Sequence, residues 1–362
     1  MLYLSGRVPR QLGNPKTALF AIHHSLSAIP INDTNLKNDA DRWIGRLHIQ
    51  QGFLNPKSKI QNGMTIDLQL DSRILIQGVD NPLALAAIGR MQTYGTNIIG
   101  IVNAGRGGQQ FGDLPMFDLV EEAQAILGPI ETSLIFVPAY QVLDAALEAI
   151  AAGIPQLVII TRGLPPLDMI RLLRQASITN TLILGSGSAG IIIPDRLLLG
   201  IYQPQLFSPG KVAIISRNQS LTAEIASELN QANLGQSIVI HIGSDPLVGS
   251  SCRLWLEWLQ SDPLTEAIVL VGDICWDSEA VTAAYLLAEQ GKPVVAYLAG
   301  IHASTPHPLT DAAIVLSHTL SKPIYHADTI QQRIKTYKRA KISVAKKISQ
   351  IPHLLKKVEH KE

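Results

Sequence analysis

The sequence predicts an α/β protein made of two tandem domains, each with a parallel sheet. Three observations predict it. From Met64 onward, short apolar runs rich in β-branched residues alternate with helical stretches at the spacing of βαβ units. A breaker-rich stretch at 194–210, "PDRLLLGIYQPQLFSPG", interrupts this rhythm once, and the alternation then restarts. The composition, 46% hydrophobic and 16% charged over 362 residues, fits a chain with a large core rather than a disordered one.

The elements follow in order. Residues 1–63 contain "NPKT", "PINDTNLKND" and "NPKSKIQNG" and keep no period, so they stand as an unplaced leader. Translation is expected to begin at Met64. The competing view is an extension that docks through Trp43, Leu47, Ile49 and Phe53. The first domain, 64–193, runs through "RILIQGV", "PLALAAIGRMQTYG", "TNIIGIVNAG", "TSLIFVPA", "QVLDAALEAIAAG", "QLVIITRG", "LDMIRLLRQA" and "TLILGSGSAG". A linker is expected at 194–210. The second domain, 211–330, runs from "KVAIISRN" through "SIVIHIGSD", "EAIVLVGD" and "KPVVAYLAG" to "AAIVLSH". A basic helical segment, 331–362, closes the chain. It holds ten Lys/Arg against two Glu, a balance of +8, and leaves 20 basic against 27 acidic residues elsewhere, or −7. A solvated helix face explains such a tail more simply than a nucleic-acid arm.

Several function classes drop out. No apolar run reaches the roughly 18–20 residues of a membrane helix, and the first residues lack a signal-peptide core. Two cysteines, Cys252 and Cys275, make no disulfide framework and suggest a reducing, cytoplasmic setting. His302, His307 and His318 cluster after a strand, but not at a metal-ligand spacing, so no metal site is expected.

Parallel sheets bind ligands beyond the carboxyl ends of their strands, so the residues just after each apolar run carry the argument. "NAGRGGQ" places Arg106 among three glycines, which suits a phosphate. "GSGSAG", with Ser188, reads equally as an anion-binding turn or a plain loop. In "ISRNQSLTAE", Ser216 and Ser220 sit where a strand enters a helix; Ser220 is either an anion contact or the helix cap. "IGSDPLVGSS" lines a cleft or simply turns the chain.

From about Met64 to the end, the chain resembles the α subunit of succinyl-CoA synthetase (succinate–CoA ligase). "ILIQG", "YGTNIIGIVNAGRGG", "FVPAY", "TRGLPPLDM", "SPGKVAIISR", "GSDPLVGSS", "EAIVLVGD" and "KPVVAYLAG" carry the likeness. The resemblance implies a Rossmann-like domain binding coenzyme A, then a flavodoxin-like ligase domain. It also implies an ATP-grasp β subunit as partner, through which ATP and Mg would act, and neither nucleic acid nor membrane as a partner. The family's coenzyme A loop falls on Gly78, Val79, Asp80 and Asn81, with Ala84 where a later glycine is usual. Its basic residue falls on Arg106, and its ITE segment on Ile160, Thr161 and Arg162, so an acid has become a base. Ala223 stands where the family has a substrate-site tyrosine. The relay histidine, which carries phosphate between subunits, falls on Asp311, and its supporting glutamate on Asp273. Cys275 and Trp276 replace two glycines. The resemblance therefore implies a scaffold whose histidine relay is lost, unless His302 or His307 takes its place.

Overall fold

Two seven-stranded sheets organise the chain in the computed structural model, which describes residues 68, 71–272, 292–299, 334–335, 337–338 and 342–359. The leader, Asp273, Cys275, Trp276, His302, His307, Asp311 and His318 lie outside the described residues. The first sheet comprises β1 (Ile74–Gln77), β2 (Ile98–Val102), β3 (Gln110–Phe111), β4 (Leu114–Phe117), β5 (Thr132–Ile135), β6 (Gln156–Ile159) and β7 (Leu182–Leu184). Their order is β3-β4-β2-β1-β5-β6-β7, parallel except for the short β3–β4 hairpin. Helices α1 (Pro82–Thr93), α2 (Val120–Leu127), α3 (Val142–Ala151) and α4 (Pro166–Thr179) connect the strands. Every residue of β1, β5, β6 and β7 is buried, as a parallel sheet covered on both faces requires.

Local chemistry explains α1. Asn81 caps it by accepting the Ala84 N–H, and Pro82 takes the first turn, where its missing N–H costs nothing. Ala84, Ala87, Ile88 and Met91 then recur at helical spacing and form its buried face.

The second sheet comprises β8 (Gly190–Ile193), β9 (Leu197–Gly200), β10 (Pro209–Ser216), β11 (Gln236–His241), β12 (Ala267–Gly272), β13 (Val294–Leu298) and β14 (Ser343–Ala345). Their order is β14-β13-β12-β10-β11-β8-β9. From β10 onward the pairs are parallel and follow a doubly wound 2-1-3-4-5 order. Helices α5 (Gln219–Gln231), α6 (Cys252–Ser261) and α7 (Ile351–Glu359) accompany this sheet.

Two expected boundaries move. The sequence pattern places residues 190–193 in the first domain and reads 194–210 as a linker. Instead β8 and β9 form an antiparallel hairpin, and β8 pairs with β11 in the second sheet. Asp195, at φ 59, turns this hairpin, and Gly190 and Gly200 let its ends meet: a Cβ on Gly190 would lie 1.8 Å from the Leu199 carbonyl oxygen. The hairpin also braces the two domains, because Thr96 Oγ1 donates to Leu198 O at 2.7 Å. The expected all-helical tail contains β14, so the second sheet extends into residues 343–345. The rest of the tail does carry a helix: Ile351 and Leu355 of α7 are buried, while Lys356 and Lys357 are exposed. Among the described residues, no helix is long and apolar enough to cross a membrane.

Candidate functional site

In the first sheet the strand order reverses between β1 and β5, the usual place for a ligand crevice. Gly78, Val79, Asp80 and Asn81 leave β1 at that point. Gly78 adopts φ +88, and a Cβ there would lie 2.7 Å from Val137 Cγ1 and 2.8 Å from Val137 N. The left-handed backbone and the close approach of the two strand ends both require glycine.

A chain of hydrogen bonds then builds the loop. The Val79 N–H donates to Asn103 Oδ1 at 3.0 Å, and Asn103 Nδ2 donates to Asp80 Oδ2 at 3.2 Å. The other Asp80 oxygen meets Arg106 Nη2 at 2.8 Å. Asn81 Nδ2 donates to Phe136 O at 3.0 Å and ties the β1 loop to the β5 loop. The structure thus gathers Gly78, Val79, Asp80, Asn81 and Arg106 into one group, with Asn103, the polar residue that ends the apolar β2 run and opens "NAGRGGQ", as the connector.

The Asp80 and Arg106 side chains are 62% and 50% exposed. An ion pair so exposed to water contributes less than about 1 kcal/mol, so an incoming anion can exchange for Asp80 at small cost. Leu83, Tyr140 and Leu167 expose apolar surface on the segments leaving β1, β5 and β6, at the same edge of the sheet. The mouth therefore offers a cation with apolar surface on its rim.

Ile160, Thr161 and Arg162 leave β6 and diverge in role. Ile160 is buried, and its N–H donates to Ile135 O at 3.0 Å. Thr161 Oγ1 donates to Val137 O at 2.6 Å. Arg162 turns to the second sheet, where its Nε donates to Ser244 Oγ at 2.9 Å.

That contact belongs to a seam between the two sheets. Asp245 Oδ2 accepts from Ser186 Oγ at 2.7 Å, Gly163 N at 2.8 Å and Leu164 N at 3.3 Å. Arg217 grips the same loop, with Nε on Gly243 O at 3.1 Å and Nη2 on Asp245 O. His241 is 1% exposed, its Nδ1 accepts the Ala189 N–H at 3.1 Å, and its ring lies against the Arg217 backbone. Burial first, then the Arg162 and Arg217 charges, lower its pKa to about 3.

The proposed phosphate contacts look different in three dimensions. Ser188 Oγ donates to His241 O and accepts from Gly190 N. The N–H groups of Gly185, Gly187, Ser188, Ala189 and Gly190 are all bonded within the protein, so the "GSGSAG" turn presents no open nest of donors at those positions. Ser216 Oγ is likewise engaged, donating to Asn218 O and accepting from Asn218 N. Ser220 lies exposed in the first turn of α5 and is not its cap; Asn218 is, accepting from Leu221 N at 3.0 Å. Cys252 is buried, and burial pushes its thiol pKa up. Among the described residues no group of three His, Cys, Asp or Glu is placed to hold a metal ion.

Comparison with known proteins gives this geometry a context. Residues 70–163 match the family model of a CoA binding domain, and residues 209–322 that of a succinyl-CoA ligase like flavodoxin domain. The chain is 37% identical over 242 residues to the succinate–CoA ligase [ADP-forming] subunit alpha of Aquifex aeolicus, covering 66% of this chain and 79% of that one. It is 33% identical over 295 residues to subunit alpha 2 of the same enzyme from Archaeoglobus fulgidus, covering 82% and 100%. A malate–CoA ligase subunit alpha from Methylorubrum extorquens is 34% identical over 260 residues, covering 71% and 88%. Among solved structures, the fold matches ATP citrate lyase from Methanothrix soehngenii in complex with citrate and coenzyme A, with TM-score 0.67 and 17% identity. It also matches a dinucleotide forming acetyl-coenzyme A synthetase from Ca. Korarchaeum cryptofilum, with TM-score 0.62 and 19% identity. The matches cover 80% and 79% of this chain but only 50% and 60% of those longer ones.

Proposed function

The chain belongs to the succinate–CoA ligase α-subunit family, and on that premise we propose that it binds coenzyme A at the C-terminal edge of the first sheet. One observation carries the reading: the Asn103–Asp80–Arg106 network at the β1/β5 reversal, inside the segment that matches a CoA binding domain. Arg106 would hold a phosphate once Asp80 releases it. Gly78 and Asn81 would keep the loop close to the ligand, and Leu83, Tyr140 and Leu167 would cover its uncharged arm.

The residues fit such a ligand, since coenzyme A supplies phosphates and a thiol to be acylated. This chain's part is to bind, orient and shield. ATP and Mg would act through an ATP-grasp β subunit as partner. Within that pair we read the chain as a member that binds coenzyme A and has lost the histidine relay. Asp311 replaces the relay histidine, and Asp273 replaces its supporting acid. If the family's geometry holds, carboxylates at these two positions would repel an incoming phosphoryl group unless one is protonated.

Calorimetry tests the first part. Coenzyme A should bind the full chain, and Arg106→Ala should weaken it by about 1.5–3 kcal/mol, the scale of a charge-assisted hydrogen bond. No binding at millimolar coenzyme A would remove it from the account. Labelled ATP with a β-type subunit tests the second. The chain should gain no acid-labile, base-stable phosphate, and phosphohistidine at His302 or His307 would restore the reading of an active ligase subunit.

A further inference from the structure

We propose that the basic end of one copy of this chain docks on the acidic outer face of α2 and α3 of a second copy, so that the protein associates head to tail. Charge is segregated along the sequence. Residues 329–358 hold nine Lys/Arg and no acid. Residues 107–161 hold seven Asp/Glu and no Lys, Arg or His. A solvated surface ordinarily intersperses both signs.

The fold turns both segments outward. Lys335 and Lys338 precede β14, Lys346 and Lys347 follow it, and Lys356 and Lys357 lie on α7; all six are exposed. Among the described residues none of them meets a carboxylate within ion-pair distance. The apolar side of α7 is already taken by the core through Ile351 and Leu355, so this end of the molecule offers charge rather than apolar surface. On the first domain, Glu121 and Glu122 stand in the first turn of α2 and Asp144 in that of α3, all exposed. The Val120 N–H donates to Glu148 Oε1 at 2.7 Å, which draws the starts of the two helices together. Asp144 lies one turn before Glu148 on the same side of α3, so the acids converge. Helix dipoles favour acids in first turns, but they do not account for the lack of any cation from 107 to 161.

Distance prevents the two surfaces from meeting within one chain. β14 is one edge of the second sheet, and β9, the other edge, is joined to the first domain through Thr96 Oγ1 and Leu198 O. Six strand spacings place β14 roughly 29 Å from that junction. The α2–α3 face lies further still. Both helices pack on one side of the first sheet, whereas α1, on the other side, shares a core with β9. Such a separation exceeds the screening length of about 8–10 Å at ordinary salt, so each surface finds its complement on another molecule. The two surfaces differ, so the contact is heterologous and builds a series or a ring rather than a two-fold dimer.

Sedimentation velocity of the full-length chain, with no ligand or partner added, tests this. At about 20 mM salt, where charges act over about 20 Å, the weight-average sedimentation coefficient should rise with protein concentration. At about 0.5 M salt, where they act over about 4 Å, it should stay at the monomer value. Lys346→Glu/Lys347→Glu and Glu121→Lys/Asp144→Lys should each need at least about tenfold more protein to associate. The four side chains are exposed and have no hydrogen-bond or ion-pair partner among the described residues, so both variants should fold. Mixed in equal amounts, the variants should associate again, because one keeps the acidic face and the other the basic end. A wild-type chain that stays monomeric at low salt overturns the proposal. So does association that persists at high salt, or a mixture that stays apart. A chain that is monomeric alone but sediments faster with a duplex oligonucleotide would assign the basic end to nucleic acid instead.

Discussion

The mouth after β1 and the seam after β6 use the same ingredients, arginine, aspartate and small polar residues, to opposite ends. At the mouth, Asp80 and Arg106 face water and neutralise each other. At the seam, Asp245 is 7% exposed and accepts three hydrogen bonds, while Arg162 and Arg217 are left without a carboxylate among the described residues. Solvent decides the difference. An exposed pair is screened and can be swapped for a ligand at little cost, whereas a buried carboxylate oxygen stripped of its donors destabilises the fold. The pair at the mouth is loosely held; the Asp245 latch ties two sheets together.

The largest expected effect tests that latch. Asp245→Ala removes the acceptor shared by Ser186, Gly163 and Leu164 and should destabilise the protein by about 3–5 kcal/mol, read from the denaturation midpoint. Asp80→Ala should stay within about 0.5 kcal/mol, because its partner remains solvated. Equal losses in the two variants would erase the contrast.

Next comes the pH profile of the seam. The unfolded chain protonates His241 near the ordinary value of 6.5, while the folded chain resists until about 3. The unfolded state therefore binds more protons in that window. The stability is fully present above 6.5 and is lost as the pH falls toward 3, by about 2 kcal/mol by about pH 5. His241→Asn should keep an acceptor for the Ala189 N–H and remove this part of the slope. A His241→Asn protein with an unchanged pH profile would assign the slope to other groups.

Gly78→Ala should cost about 1–3 kcal/mol, since the new Cβ meets Val137 in a left-handed backbone. A smaller loss would mean that the β1 and β5 loops separate more easily than their tie through Asn81 implies. The smallest expected effect is a gain. Asp80→Asn frees Arg106 and should tighten coenzyme A by up to about 1 kcal/mol, the most an exposed pair can withhold. Weaker binding would instead make Asp80 part of the ligand contact.

Local pattern carried much of this protein. The apolar runs at β1, β2, β5 and β6 were legible because a strand buried on both faces reads as unbroken hydrophobic residues. That Gly78 and Arg106 stand at the ends of neighbouring parallel strands was legible because a glycine or a cation just after an apolar run stands out. The two-domain α/β order and the family likeness followed from the same sequence-local signals.

Partnership across distance was not legible. "GIII" and "LLLG" say strand, but nothing in them says which sheet; that was decided by β11, which meets β8 more than forty residues away in the sequence. Ser188 and Ser216 look like phosphate contacts until the fold engages their hydroxyls with nearby backbone. Asp245 reads as one acid in a turn, and only the packed structure brings Gly163, 82 residues earlier, within 2.8 Å of it. The sequence by itself determined which segments become strands and helices, because periodic burial and local capping are written within a few residues. The tertiary structure decided which polar groups are used up and which remain available, because hydrogen-bond satisfaction depends on neighbours that only folding brings together.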